Sequence, residues 1–199
     1  RCSRDWSSDV CSSDLLVALG DSLTAGYRLP KGKGFAPRLE AALKAAGHHV
    51  EVIDAGVSGD TTDQGLARLD WSVPADADAV IVELGANDAL RGLPPAIARR
   101  NLDEIVGTLR KRGIAVLVAG MLAPRNLGEA YAAEFDRIFP EVAAAHGALL
   151  YPFFLDGVAL EPRLLLDDGL HPDQAGVEEI VRRILPSVVE LLARVPARS

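Results

Sequence analysis

From residue 15 onward, short apolar runs alternate with longer amphipathic stretches, and this alternation restricts the possible fold more than any other feature of the 199 residues. Residues 15–19, 50–54, 79–84, 115–119 and 148–151 are rich in valine, leucine and isoleucine with little polar alternation, the pattern of strands covered on both faces. Between them, residues 35–46 carry apolar side chains at helical spacing and stop at Gly47. Residues 95–112 stop at Gly113 and residues 129–146 at Gly147, so each of these helices ends on a capping glycine. A last helix is expected to start near Pro172 or Asp173 and run through Val189, with Pro186 kinking or breaking it. Repeated βα units with right-handed crossovers predict an α/β fold, a three-layer α/β/α sandwich around a central five-stranded parallel sheet.

Composition removes several classes of function. With 21 basic and 28 acidic residues the net charge is −7, the opposite of the basic stripe a phosphate-backbone binder carries, so no nucleic acid partner is expected. No run of about 18 apolar residues occurs, which excludes a transmembrane helix. Both cysteines, Cys2 and Cys11, lie in the first 14 residues, where a Cys-Ser-x-Asp phrase occurs twice. That segment has neither helix nor strand period and no signal-peptide pattern, so it reads as a non-native or disordered tail, with a Cys2–Cys11 disulfide as the alternative. Residues 15–199 then form a single domain, large enough to bury a core without a disulfide or metal. Their lack of cysteine is compatible with cytosol, periplasm or secretion.

In an open α/β sheet the chemistry gathers beyond the carboxyl ends of the strands. After the first predicted strand come Gly20, Asp21 and Ser22; after the second, Ser58, Gly59 and Asp60; after the third, Gly85, Ala86, Asn87 and Asp88. Following the fifth, across a connecting loop, come Asp168, Gly169, Leu170 and His171. A serine hydroxyl needs a base within reach and donors for the oxyanion its attack creates. Ser22 supplies the nucleophile, His171 the base, and Asp168, three residues earlier, a carboxylate to orient the imidazole. The backbone N–H groups of Ser22 and Gly59 and the side-chain amide of Asn87 supply an oxyanion hole. Activity should rise as the base loses its proton.

In these four ordered blocks the sequence resembles the SGNH, or GDSL, hydrolase family, and most of all its bacterial thioesterase I, protease I and lysophospholipase (arylesterase) branch. Further shared phrases are Gly65-Leu66-Ala67-Arg68-Leu69 and Asn87-Asp88-Ala89-Leu90-Arg91-Gly92-Leu93. The resemblance implies a flavodoxin-like arrangement of the sheet and the same roles for Ser22, Asp168, His171, Gly59 and Asn87. It also implies a serine esterase that hydrolyses small-molecule carboxylic esters or thioesters through an acyl-enzyme, without a metal or organic cofactor, as a monomer. Many members are periplasmic, and relatives have a mobile acyl-responsive loop at positions matching residues 89–94. Ala86 and Ala89 stand where those relatives often carry glycine.

Each residue has a plainer reading. Ser22 could only cap the helix after the first strand. Asp21 and Asp88 are expected to brace their loops, and Asp167 is the competing acid. His48, His49 and His146 read as solvated, as does the acidic stretch 76–78, and no histidine–cysteine cluster suggests a metal. Leu90, Arg91, Leu93, Met121 and Pro124 are the candidates for substrate contact, with core packing the rival for the apolar ones and a solvated arginine the rival for Arg91. Two other functions compete: a carbohydrate acetyl-esterase of the same fold, and a non-catalytic module whose residues 20–26 cradle phosphate. The latter lacks both a Walker ending and a Gly-x-Gly-x-x-Gly spacing.

Overall fold

The computed structural model describes residues 13–195. Five parallel strands, β1 (Asp14–Gly20), β2 (Val50–Gly56), β3 (Ala79–Glu83), β4 (Ala115–Ala119) and β5 (Leu149–Tyr151), line up in the order β2-β1-β3-β4-β5. The predicted strands are all present, within two residues at each end. Strand β1 begins with Asp14, which pairs with Val50 and donates its N–H to the His49 carbonyl, so the last residue of the segment set apart as a tail belongs to the sheet. The two cysteines lie outside the described residues.

Helices α2 (Phe35–Ala45) and α9 (Gln174–Ala193) pack together over one face of the sheet. Helices α3 (Thr62–Ala67), α6 (Pro95–Lys111) and α8 (Ile138–Ala145) cover the other. Burial follows position: every residue of β3 and β4 is buried, whereas edge strand β2 alternates, with Val50 and Val52 inward and Glu51 exposed. Continuous apolar runs are therefore confined to the central strands. Gly47, Gly113 and Gly147 follow their helices with φ between +60° and +87°, the left-handed conformation that ends a helix cheaply only without a Cβ.

Two helix expectations change. The single helix expected over 129–146 divides at Arg137 into α7 (Glu129–Asp136) and α8. Beside the break, the Asp136 carboxylate accepts from the Ala123 N–H at 2.8 Å and pairs with Arg125 at 2.7 Å, which binds that end of α7 to the loop after β4. Conversely, α9 runs unbroken through Pro186. Its buried face of Ile180, Ile184, Val188 and Leu191 packs on both sides of the proline, and this burial outweighs one lost backbone bond. Short helices α1 (Ser22–Ala25), α4 (Leu69–Ser72) and α5 (Ala86–Leu90) complete the loops at the carboxyl edge.

Candidate active site

Strand β1 ends at Gly20 and the chain turns at once into α1, so Ser22 is presented at the carboxyl edge as the first residue of a helix. Asp21, not Ser22, caps that helix: its Oδ1 accepts from the Leu23 N–H at 2.9 Å. The serine hydroxyl is thus left for another partner. Close packing under the turn depends on Gly56 at the end of β2. A Cβ there would lie 2.4 Å from the Ala25 nitrogen and 2.9 Å from the Asp21 carbonyl, so any side chain would push α1 away from the sheet.

The partner comes from the loop between β5 and α9. Leu165 and Pro172 form an antiparallel bridge, and Leu166 donates its N–H to the His171 carbonyl at 2.7 Å, which folds residues 165–172 into a tight return. Asp168 closes it by accepting from the backbone N–H groups of Leu170 (2.9 Å) and His171 (3.0 Å) on Oδ1. Its Oδ2 remains for the ring and lies 2.8 Å from His171 Nδ1, while His171 Nε2 lies 2.9 Å from Ser22 Oγ. Ser22, His171 and Asp168 therefore form one hydrogen-bonded run. The His171 and Leu170 backbone N–H groups, and then the ring, hold the Asp168 carboxyl down to about 2, so it is an anion throughout the neutral range.

Asp167, the rival acid, points elsewhere and forms an exposed pair with Arg28 at 2.6 Å. Next to Arg28, the ring of Tyr27 packs against the His171 imidazole at 4.6 Å between centroids, a contact that no spacing rule would have revealed.

Among the described residues, the backbone N–H groups of Ser22 and Gly59 have no intramolecular acceptor. Gly59 adopts φ +88°, which turns the 57–60 loop and favours glycine. The Asn87 amide is committed differently from the expectation of a ready donor: its Nδ2 gives one bond to Asp21 Oδ2 (2.9 Å) and one to the Asp60 carbonyl (3.0 Å). Asn87 thus joins the residue before Ser22 to the residue after Gly59.

Buried polar groups brace this edge. Asp88 receives the Thr62 N–H and hydroxyl at 2.8 and 2.7 Å, and Asn101 donates to the same hydroxyl, so Asp88 braces its loop as expected. Asp21 is fully buried, which pushes its carboxyl up to about 6 against the bonds from Leu23 and Asn87. Behind it, Glu83 accepts from the Thr24 hydroxyl at 2.8 Å. Burial first, and the neighbouring Asp21 charge second, raise Glu83 well above the usual carboxyl range. Glu83 stands in no motif, and only the register of Gly20 with Glu83 brings it to Thr24.

The candidates for substrate contact separate. Leu90 is 54% exposed, Leu93 and Pro124 are half-buried, and Met121 is 3% exposed and part of the core. Arg91 has a partner within the chain: its Nη2 donates to the Gly59 carbonyl at 2.6 Å, bridging α5 to the 57–60 loop. Two of the groups read as solvated have partners. His146 Nε2 lies 2.8 Å from Asp103 Oδ1, because α6 and α8 are neighbours, and Asp78 accepts from the Leu15 N–H at 2.7 Å.

The sequence matches the GDSL-like lipase/acylhydrolase family over residues 18–178. The chain belongs to that family. It is 42% identical over 165 residues to an arylesterase of Vibrio mimicus, covering 81% of each chain. To the thioesterase 1/protease 1/lysophospholipase L1 of Escherichia coli strain K12 it is 35% identical over 166 residues, 83% of this chain and 78% of the other. The crystal structure of AlinE4, an SGNH-hydrolase family esterase, superposes with a TM-score of 0.76 at 47% identity, covering 94% of this chain and 98% of that one. This family member is accordingly a carboxylic ester hydrolase of the serine type, with the α/β/α fold of SGNH hydrolases.

Proposed function

We propose that this family member cleaves carboxylic esters or thioesters through an acyl-enzyme on Ser22, using one domain that includes Asp14, as a monomer. The observation that carries the reading is the unbroken run from Ser22 Oγ through His171 to Asp168, at 2.9 and 2.8 Å, made within one chain. As Oγ attacks the carbonyl carbon, His171 Nε2 takes the hydroxyl proton. Asp168 keeps the Nδ1–H directed toward itself and stabilises the imidazolium. The carbonyl oxygen, now an anion, meets the N–H groups of Ser22 and Gly59, and Asn87 joins by sharing one of its two N–H groups. His171 then protonates the departing alkoxide or thiolate. A water, deprotonated by the same nitrogen, releases the acid and restores the serine.

The substrate is apolar on its acyl or aryl side. Exposed Tyr27, Val57, Leu90, Leu122, Leu127 and Leu170 all lie on segments at the carboxyl edge of the sheet or beside His171. This apolar surface beside the site favours arylesterase- and thioesterase-like substrates over carbohydrate acetates. No helix among the described residues is long and apolar enough to cross a membrane.

Hydrolysis of p-nitrophenyl acetate, butyrate and octanoate by the wild type and by Ser22→Ala, with folding followed by circular dichroism, tests the reading. Activity should fall by several orders of magnitude in a folded variant, and a fluorophosphonate should label Ser22 in the wild type only. A folded Ser22→Ala protein with full activity refutes the mechanism.

A further inference from the structure

Arg68 stands between α3 and α4 and is 6% exposed, yet no step of the reaction uses it. Its planar guanidinium makes four bonds in four directions. Nε donates to Asp60 Oδ2 at 2.6 Å, Nη1 to the Ala55 carbonyl at 2.8 Å and to Ser72 Oγ at 3.0 Å, and Nη2 to the Gly20 carbonyl at 2.8 Å.

These partners are the backbone units that carry the oxyanion donors. Gly20 ends β1 two residues before Ser22, and its carbonyl also accepts from Val57 at the start of the 57–60 loop. Asp60 follows Gly59 directly, and its own carbonyl receives the Asn87 amide at 3.0 Å. Each of the three donors is therefore at most two residues, or one hydrogen bond, from a residue that Arg68 holds. The Asp60 carboxylate neutralises the guanidinium locally, so what the pair supplies is fixed geometry more than a field over the site. A rigid fork can serve two strand ends and a loop together. The compact ammonium of lysine cannot reproduce that arrangement.

We propose that Arg68 is the positioning residue of the oxyanion hole, registering the ends of β1 and β2 with the 57–60 loop so that the Ser22, Gly59 and Asn87 donors face one point. This rests on the roles given above to those three residues. Preorganised donors matter where charge develops in the transition state and much less in the ground state. A loosened hole should consequently lower kcat and leave KM nearly alone.

The test compares wild type, Arg68→Lys and Asp60→Asn, well below their melting temperatures, with p-nitrophenyl butyrate and with an octyl trifluoromethyl ketone. The ketone adds to Ser22 and places an alkoxide in the hole. For Arg68→Lys, kcat should fall about 10- to 100-fold with KM within about threefold, and the ketone Ki should rise by the same factor as kcat falls. Asp60→Asn, which retains size and one acceptor for Nε, should show the same pattern at reduced amplitude, and it carries the test alone if Arg68→Lys does not fold. The inference is overturned if the folded variants show only a lower Tm, or a raised KM, with kcat and Ki at wild-type values. Should the wild type itself resist both fluorophosphonate and ketone, the assignment of Ser22 fails, and that outcome is distinct from a wild type that reacts alongside unaffected variants.

Discussion

Replacing Asp21 by asparagine removes one charge from a fully buried position while keeping the outline of the side chain. Burial raises the Asp21 carboxyl from 3.8 to about 6 in the folded protein. The folded state therefore holds this proton more tightly than the unfolded chain. It follows that the Asp21 contribution to stability is most favourable in acid and is lost as pH rises through about 4 to 6. At about 1.4 kcal/mol per pH unit, ionised Asp21 costs about 3 kcal/mol at pH 7 relative to its protonated form, of which about 2 kcal/mol develops between pH 4 and pH 7. Asparagine removes that slope. It also introduces a fixed cost, because one amide oxygen cannot accept from both Leu23 and Asn87 as the carboxylate does, and one donor left facing an NH2 group costs about 1–3 kcal/mol. The fixed cost cancels when variant and wild type are compared across pH, and so do the slopes of the carboxylates that do not interact with Asp21. Urea unfolding at pH 4, 5, 6 and 7 should show the variant gaining about 2 kcal/mol on the wild type over that range. The same comparison in a Glu83→Gln background separates Asp21 from the carboxyl behind it. A difference constant to within about 0.5 kcal/mol refutes the reasoning. At pH 7 kcat should nevertheless drop about 10-fold, since the Asn87 amide loses its anionic acceptor, the pattern of a site that keeps a buried charge at the expense of stability.

Asp168→Asn keeps an acceptor for the two backbone N–H groups but offers an NH2 to His171 Nδ1, which turns the other N–H toward Ser22. Steady-state kinetics should show kcat lower by about 10³- to 10⁴-fold. Asp167→Asn disturbs only an exposed pair with Arg28 and should leave kcat/KM within about threefold; a larger loss would falsify the choice of acid. Gly59→Ala meets no atom nearer than Arg91 Nη2 at 3.8 Å, so its cost is the φ of +88°. Denaturation should reveal a loss of about 1–2 kcal/mol, with kcat/KM reduced at least about 10-fold as the loop relaxes. Leu90→Ser should raise KM about 3- to 10-fold for p-nitrophenyl octanoate and leave the acetate within about twofold, and equal effects on both esters would remove Leu90 from the acyl site.

What the sequence made legible, and what it hid, follows from the range of the interactions involved. The strands were readable because β3 and β4 are buried on both faces and are apolar throughout except for Glu83 at the end of β3. The helix ends were readable because Gly47, Gly113 and Gly147 take a backbone conformation that other residues resist. Asp168 and His171 could be paired because three residues separate them and the loop closes locally. Ser22 could be joined to them only through the order of the blocks, since its partner lies 149 positions further along the chain. Arg68 was visible only as part of the Gly65-Leu66-Ala67-Arg68-Leu69 phrase, which gave it no role, and Glu83 stood in no phrase at all. Each acts through tertiary contacts, Arg68 on Gly20 across 48 residues and Glu83 on Thr24 across 59, and a buried arginine looks in sequence like any other residue of an amphipathic helix. Met121 is the converse case: a position just beyond β4 suggests the site, core packing is the rival reading, and the side chain is buried in the core. The residues proposed to carry the chemistry thus stand in short recognisable blocks, whereas those that hold the blocks in register are distributed through the fold. Substitutions at Arg68 and Asp21 are accordingly expected to change kcat through the geometry of the edge, whereas Ser22→Ala removes the attacking atom itself from a folded protein.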